Sequence, residues 1–170
     1  MKKDFFKDPK IKFPAYEPWI SSDDQKIVKK ALNQSMLTFG PQLEKFETDF
    51  CKYTKAKYAV AVSNCTAALH LSLKALGIKK DDEVIIPDLT FVADANAVLA
   101  CNAKPIVTDI NKENFFLSIS NVKKNITKKT KAIIPVHIYG QVCNIEEILD
   151  VARDNDLKVI EDCAHAVGTF

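Results

Sequence analysis

Short unbroken apolar runs alternate with helix-period segments along most of this chain. The runs at 58–62, 83–87, 105–108, 132–136 and 157–161 predict strands, and the segments at 66–76, 91–101, 120–125 and 144–154 predict the helices between them. Strands without polar alternation are covered on both faces, which with intervening helices means a parallel-rich sheet flanked by helices, an α/β architecture with right-handed crossovers. The pattern differs ahead of residue 56. Residues 1–20 hold five aromatics and three prolines without helical or strand period and read as an extended arm lying on another surface. Ser22 with Asp23 and Asp24 marks a helix start, followed by an apolar face of Ile27, Val28, Ala31 and Leu32. Pro41 takes a first helical position, with Leu43, Phe46 and Phe50 as the next stripe. The expected organisation is therefore an amino-terminal arm and helices over 1–55, then a sheet-containing domain over 56–170.

Composition narrows the class. A chain of 170 residues, 47% hydrophobic and 27% charged, has the balance of a soluble globular protein with one sizeable core. No apolar run reaches the roughly eighteen residues of a membrane span, and the first residues lack a signal-peptide core, so the expected address is the cytoplasm with no membrane partner. The five cysteines are odd in number and irregularly spaced, which gives no disulfide framework. Cys143, Cys163, His137 and His165 lack metal-ligand spacing, so no metal site is expected. Net charge is +2, Arg153 is the only arginine, and the lysines are scattered except at 123–131, which reads as a solvated face and excludes a nucleic-acid surface.

In an open parallel sheet ligands bind beyond the carboxyl ends of the strands, and the residues there form a short set of candidates. They are Ser63-Asn64-Cys65-Thr66, Asp88-Leu89-Thr90-Phe91, Asp109, His137-Ile138-Tyr139-Gly140, and Asp162 to His165. Each has two readings. Ser63 or Asn64 caps a helix, or the free N–H groups at that helix start hold a phosphate. Phe91 is core on the inner face of its helix, or a flat ring that stacks on an aromatic cofactor. Asp162 caps the segment from Cys163, or holds a heterocyclic nitrogen in its protonated form. His137 and His165 are hydrogen-bonded core histidines or site residues. With glycine only at 40, 77, 140 and 168 there is no dinucleotide fingerprint.

Taken together, the segments Val62-Ser63-Asn64-Cys65-Thr66-Ala67-Ala68-Leu69-His70-Leu71, Asp82 to Pro87 with Thr90-Phe91-Val92-Ala93 and Asn96-Ala97-Val98, Pro135 to Gln141, and Val159 to Ala166 strongly resemble the DegT/DnrJ/StrS family of sugar aminotransferases. Thr38-Phe39-Gly40-Pro41 with Phe46-Glu47 resembles that family's amino-terminal signature. The resemblance implies part of the large domain of a fold-type I enzyme. Such an enzyme uses pyridoxal 5′-phosphate to place an amino group, usually from glutamate, on a nucleotide-linked keto sugar in amino-sugar and polysaccharide biosynthesis, and works as a homodimer. Carried onto matching positions, it implies that Cys65, Thr66 and Ala67 hold the cofactor phosphate, that Phe91 stacks on the pyridine ring, that Asp162 pairs with the ring nitrogen, and that His165 approaches the ring hydroxyl. Position 65 is Cys where the family often has glycine, and 165 is His where it often has glutamine.

The same resemblance implies a Schiff-base lysine in a serine-phenylalanine segment well beyond the aspartate. No lysine of this chain stands in a matching context, so the expectation is an amino-terminal half that is inactive alone. Two alternatives accompany the aminotransferase: a sugar dehydratase on the same scaffold, with histidine in place of that lysine, and a non-catalytic split or decayed gene product.

Overall fold

The computed structural model describes residues 18–169; the arm expected over 1–20 lies almost wholly outside the described residues. The chain divides into two compact units, Met1–Asp49 and Phe50–Phe170. In the first, helix α1 spans Ser22–Leu32 and starts one residue earlier than the acidic pair suggests, because Ser21 is the cap. Its hydroxyl accepts the Asp24 N–H at 3.2 Å while the Asp24 carboxylate accepts the Ser21 N–H at 2.7 Å, a reciprocal capping box. Helix α2, Pro41–Thr54, begins at the expected proline.

The second unit contains the sheet. Helix α3 spans Cys65–Ala75, β1 Glu83–Pro87, α4 Ala93–Ala100, β2 Lys104–Thr108, α5 Ile119–Asn125, β3 Thr130–Ile133, α6 Ile145–Asp154 and β4 Lys158–Val159. The strand order is β2-β1-β3-β4 and every pairing is parallel, as the sequence pattern predicts. Period-2 alternation sorts the core onto two faces. Val84 and Ile86 of β1, with Ala132 and Ile134 at β3, meet Leu69 and Leu73 of α3 and Ala97 and Val98 of α4. Ile85 and Ile133 point the other way, onto Val122 of α5 and Ile148, Val151 and Ala152 of α6. All five residues of β1 are buried, which is why its sequence shows no polar alternation.

One expected strand is absent. Residues 58–62 form neither strand nor helix, Tyr58 and Val62 are exposed, and Val60 is 80% exposed. A strand exists through its ladder partners, and no strand among the described residues pairs with this run. Its apolar composition carries β propensity, but the run joins no strand of the sheet.

Candidate functional site

The carboxyl edge of the sheet is extended beyond the named strands by three hydrogen bonds. Ile160 N–H donates to Ile133 O at 3.1 Å, Asp162 N–H to Pro135 O at 2.9 Å, and His137 N–H to Asp162 O at 3.0 Å. This continued pairing fixes Asp162 opposite Val136 and leaves the acid only 5% exposed. Asp162 Oδ1 accepts the Ala164 N–H at 2.9 Å and faces the Cys65 thiol at 3.7 Å; Oδ2 takes neither bond. The capping reading is thus half right: the bond to Ala164 forms, but turns rather than a helix follow, over 164–168.

Cys65 opens α3, so the contact sets the Asp162 carboxylate against that helix start. Asn64 is the cap, its side-chain oxygen accepting the Ala67 N–H at 2.9 Å. The cap satisfies Ala67, and Ala68 N–H reaches the Asn64 carbonyl at 3.1 Å. Among the described residues the N–H groups of Cys65 and Thr66 have no acceptor, so capping leaves two donors at the positive end of the helix dipole free for an anion.

Burial first, and then the Asp162 charge, push the Cys65 thiol up to about 11. Exposed on the surface, Cys65 is nevertheless a poor nucleophile. Two pK units above the usual value remove about a hundredfold of thiolate at pH 8, and the higher intrinsic nucleophilicity returns about tenfold. Alkylation of Cys65 at pH 8, followed by mass spectrometry, is expected to run about tenfold slower than that of an unstructured cysteine peptide, and Asp162→Asn is expected to speed it. Labelling at the peptide's rate would show that the thiol does not feel the carboxylate.

Phe91 precedes α4 and is 72% exposed, so the core reading of this ring fails; it stands free at the ligand edge. Three residues on lies a group that the sequence reading passed over. Asp94, in the first turn of α4, is 0% exposed; one oxygen accepts from the Thr90 hydroxyl and Oδ1 has no partner. Burial, opposed by the Thr90 bond and reinforced by Asp162, raises its carboxyl from 3.8 to about 6. The readable signal was an acid within Ala93-Asp94-Ala95-Asn96-Ala97-Val98, where the buried face of the helix needs apolar residues.

His137 is buried and fully engaged. Its Nδ1 accepts the Cys143 N–H at 3.1 Å, so in the neutral ring the proton sits on Nε2 and is donated to Glu161 at 2.9 Å. His137, Glu161 and Cys163 place one donor atom each within 4.8 Å of one another. A metal on Nε2 would force the ring proton onto Nδ1, against the Cys143 N–H, and burial followed by the Glu161 and Asp162 charges raises the Cys163 thiol. The geometry is that of a histidine strut tying the ends of β3 and β4 to the loop before α6. His165 is separate and exposed, its ring stacked on Tyr139 at 6.1 Å between centroids. Tyr139 has φ 55°, a left-handed conformation costing a non-glycine residue about 1–2 kcal/mol, and Gly140 follows at φ 78°.

Asp88 and Asp109 do not join this group. Asp88 N–H prolongs the β1–β2 ladder to Thr108 O at 3.0 Å, and Asp109 O closes a turn with Ser118 N–H at 3.2 Å; both side chains are exposed. A cavity of about 350 Å³, lined by Asn111, Asn114, Ser118, Asn144 and Glu147 among others, also contains none of the candidate residues.

What remains at the edge is a helix start with two unused donors, a buried carboxylate with one oxygen uncommitted, and an exposed flat ring. That donor set suits a ligand with an anionic group at one end and a protonatable aromatic nitrogen at the other. The chain is 42% identical over 92% of its length to GDP-perosamine synthase of Vibrio cholerae, and spans 43% of that enzyme. Among solved structures, it matches NtdA from Bacillus subtilis with bound PMP at TM-score 0.82 and 37% identity, covering 88% of this chain and 35% of that one. It matches the PLP form of the sugar aminotransferase Spr1654 from Streptococcus pneumoniae at TM-score 0.84 and 30% identity, covering 89% and 42%. The chain thus spans about two fifths of the length of these relatives. With the family's sequence pattern matched from residue 18 to residue 170, the chain belongs to the DegT/DnrJ/EryC1/StrS aminotransferase family.

Proposed function

We propose that this chain supplies the amino-terminal share of a pyridoxal-phosphate site in an aminotransferase that acts on a nucleotide-linked keto sugar, with glutamate as amino donor, for amino-sugar and polysaccharide biosynthesis. The observation that carries the reading is the contact of buried Asp162 with the start of α3 through Cys65. It supports the reading because it sets a buried carboxylate against a helix start. The naming of relatives as GDP-perosamine synthases and sugar aminotransferases supports the substrate class. The reading extends to a homodimer in the cytoplasm, on the family resemblance; no helix among the described residues is long and apolar enough to cross a membrane.

In this arrangement the Cys65 and Thr66 N–H groups, with the Thr66 hydroxyl and the Ala67 backbone, bind the phosphate. Phe91 covers one face of the ring and excludes water from it. Asp162 holds a proton on the ring nitrogen, since a carboxylate at that atom favours its charged form. His165 meets the ring hydroxyl. When bound, the cofactor supplies an electron sink for the carbon that loses its proton. The lysine that would hold the cofactor covalently has no match in this chain.

Two measurements test the reading. Pyridoxal phosphate is expected to bind the chain reversibly, in competition with inorganic phosphate, and Asp162→Asn and Phe91→Ala are each expected to weaken it. Borohydride reduction and peptide mapping are expected to show no preferred lysine, because a covalent imine needs a lysine held against the aldehyde. Stoichiometric labelling at one lysine would overturn the division of labour, and binding unaffected by either substitution would overturn the site. Joining the chain to the remaining length of the family pattern, with lysine or with histidine at the Schiff-base position, separates aminotransferase from dehydratase.

A further inference from the structure

We propose that His137 and Glu161 form a clamp that positions Asp162: their bond lies on the opposite face of the sheet edge and fixes the direction in which the acid presents its carboxylate to Cys65 and the start of α3. Beyond Val159 the chain has left the last named strand, and the Asp162 peptide is held by its N–H to Pro135 O at 2.9 Å and its carbonyl from His137 N–H at 3.0 Å. Side chains keep alternating across this extension. Val159 packs with the core that faces α6, and Ile160 with the core that faces α3 and α4. One step further the alternation repeats: Glu161 stands with His137 and Cys163, and Asp162 reaches Cys65 at 3.7 Å.

Two hydrogen bonds set the clamp. The Cys143 N–H occupies Nδ1 of the buried His137 ring at 3.1 Å, which leaves the ring proton on Nε2 and makes the ring a donor to Glu161, whose Oε2 accepts at 2.9 Å. Ladder bonds run in the plane of the sheet and leave a strand end free to twist about its own axis, whereas a side-chain bond on one face opposes that twist. A rotation that carried Glu161 away from His137 would also carry Asp162 away from Cys65, because the two acids are adjacent residues on opposite faces. His137 is thus a positioning residue that acts on the site through Asp162 without touching a ligand. Its meaning for catalysis rests on the proposed cofactor reading; its hold on Asp162 does not.

The test is the rate of Cys65 alkylation at pH 8, resolved by peptide mass spectrometry on the full chain without cofactor, in wild type, Glu161→Ala, Glu161→Gln and His137→Asn, each with and without Asp162→Asn. Glutamine keeps an oxygen that accepts the Nε2 proton and alanine does not; both lack the charge, so their difference isolates the bond. Asparagine at 137 keeps an acceptor for the Cys143 N–H but falls short of Glu161. Glu161→Ala and His137→Asn are each expected to speed labelling about two- to threefold, the net of a thiol that titrates about half a unit to one unit lower once the carboxylate has moved off it. Glu161→Gln is expected to label at the wild-type rate. In the Asp162→Asn background none of the three should add anything, because the clamp acts through that carboxylate. Equal rates for Glu161→Ala and Glu161→Gln overturn the clamp, and so does an acceleration by Glu161→Ala that persists in the Asp162→Asn background, which is what general loosening would give. Cys101, 2% exposed at the end of α4, stays unlabelled while the fold is intact. Should His137→Asn expose it, the two Glu161 variants decide, since that side chain is 46% exposed and its loss opens no core cavity. Failure of pyridoxal phosphate to bind the wild-type chain would strike the cofactor reading and leave the clamp standing.

Discussion

Asp162→Asn, in a protein completed to the family's full length, is expected to slow amino transfer by about tenfold to a hundredfold or more while leaving the fold intact. Asparagine keeps the size of the side chain, and its oxygen still accepts the Ala164 N–H that holds the loop. What it loses is the negative charge. A charge-assisted hydrogen bond is worth roughly 1.5–3 kcal/mol, which translates into that range of rate, with a larger effect where the charge acts mainly in the transition state. The substitution also removes the like charge that bears on Asp94 and Cys65, so a faster-reacting Cys65 would report that the site is folded even as the rate falls. Asp154→Asn, on an exposed position of α6, is the control. Equal rates for Asp162→Asn and wild type, with cofactor bound in both, would reduce Asp162 to a residue that shapes the loop to Ala164.

Leu73→Ala is expected to destabilise the chain by about 3–5 kcal/mol, read as a lower denaturant midpoint at unchanged slope. Leu73 is fully buried in one cluster with Val84, Ile86 and Ala97. Its loss combines the transfer free energy of the removed carbons with a cavity that the rigid sheet cannot close. The helix that loosens is the one whose first turn carries the Cys65 and Thr66 donors, so cofactor binding is expected to weaken with stability. Leu71, on the exposed side of the same helix, provides the comparison: Leu71→Ala is expected to stay within about 0.5 kcal/mol of wild type. Similar losses for both would mean that α3 does not pack on the sheet through Leu73.

The central strands β1 and β3 were legible because burial on both faces leaves an unmistakable signature: Val84-Ile85-Ile86 and Ala132-Ile133-Ile134 have no polar residue to face water. Asn64 and Ser21 were legible as caps, to within a residue, because a short polar side chain before an apolar stripe has few other uses. The sequence also named Asp162 and Phe91, since residues just after strands in a parallel sheet converge on one edge, whereas Cys65 was named as following a strand that does not form. Pairing was not legible. The run at 58–62 has the composition of a strand, and whether it becomes one depends on partners that local composition cannot specify. Nor could sequence distance say that Cys65 and Asp162, 97 positions apart, touch, or that a buried oxygen of Asp94 has no partner; burial and contact belong to the packed state. His137 shows the division most plainly. Its residue type left core and site readings open, and only the Cys143 N–H on one ring nitrogen and Glu161 on the other decide its tautomer and its role as a strut. Apolar periodicity determined most of the elements and the sheet edge on which the candidate residues were sought, because hydrophobic burial acts on local pattern. The tertiary structure decided which polar groups meet, because hydrogen bonds and charges act over a few ångströms between residues that only packing brings together.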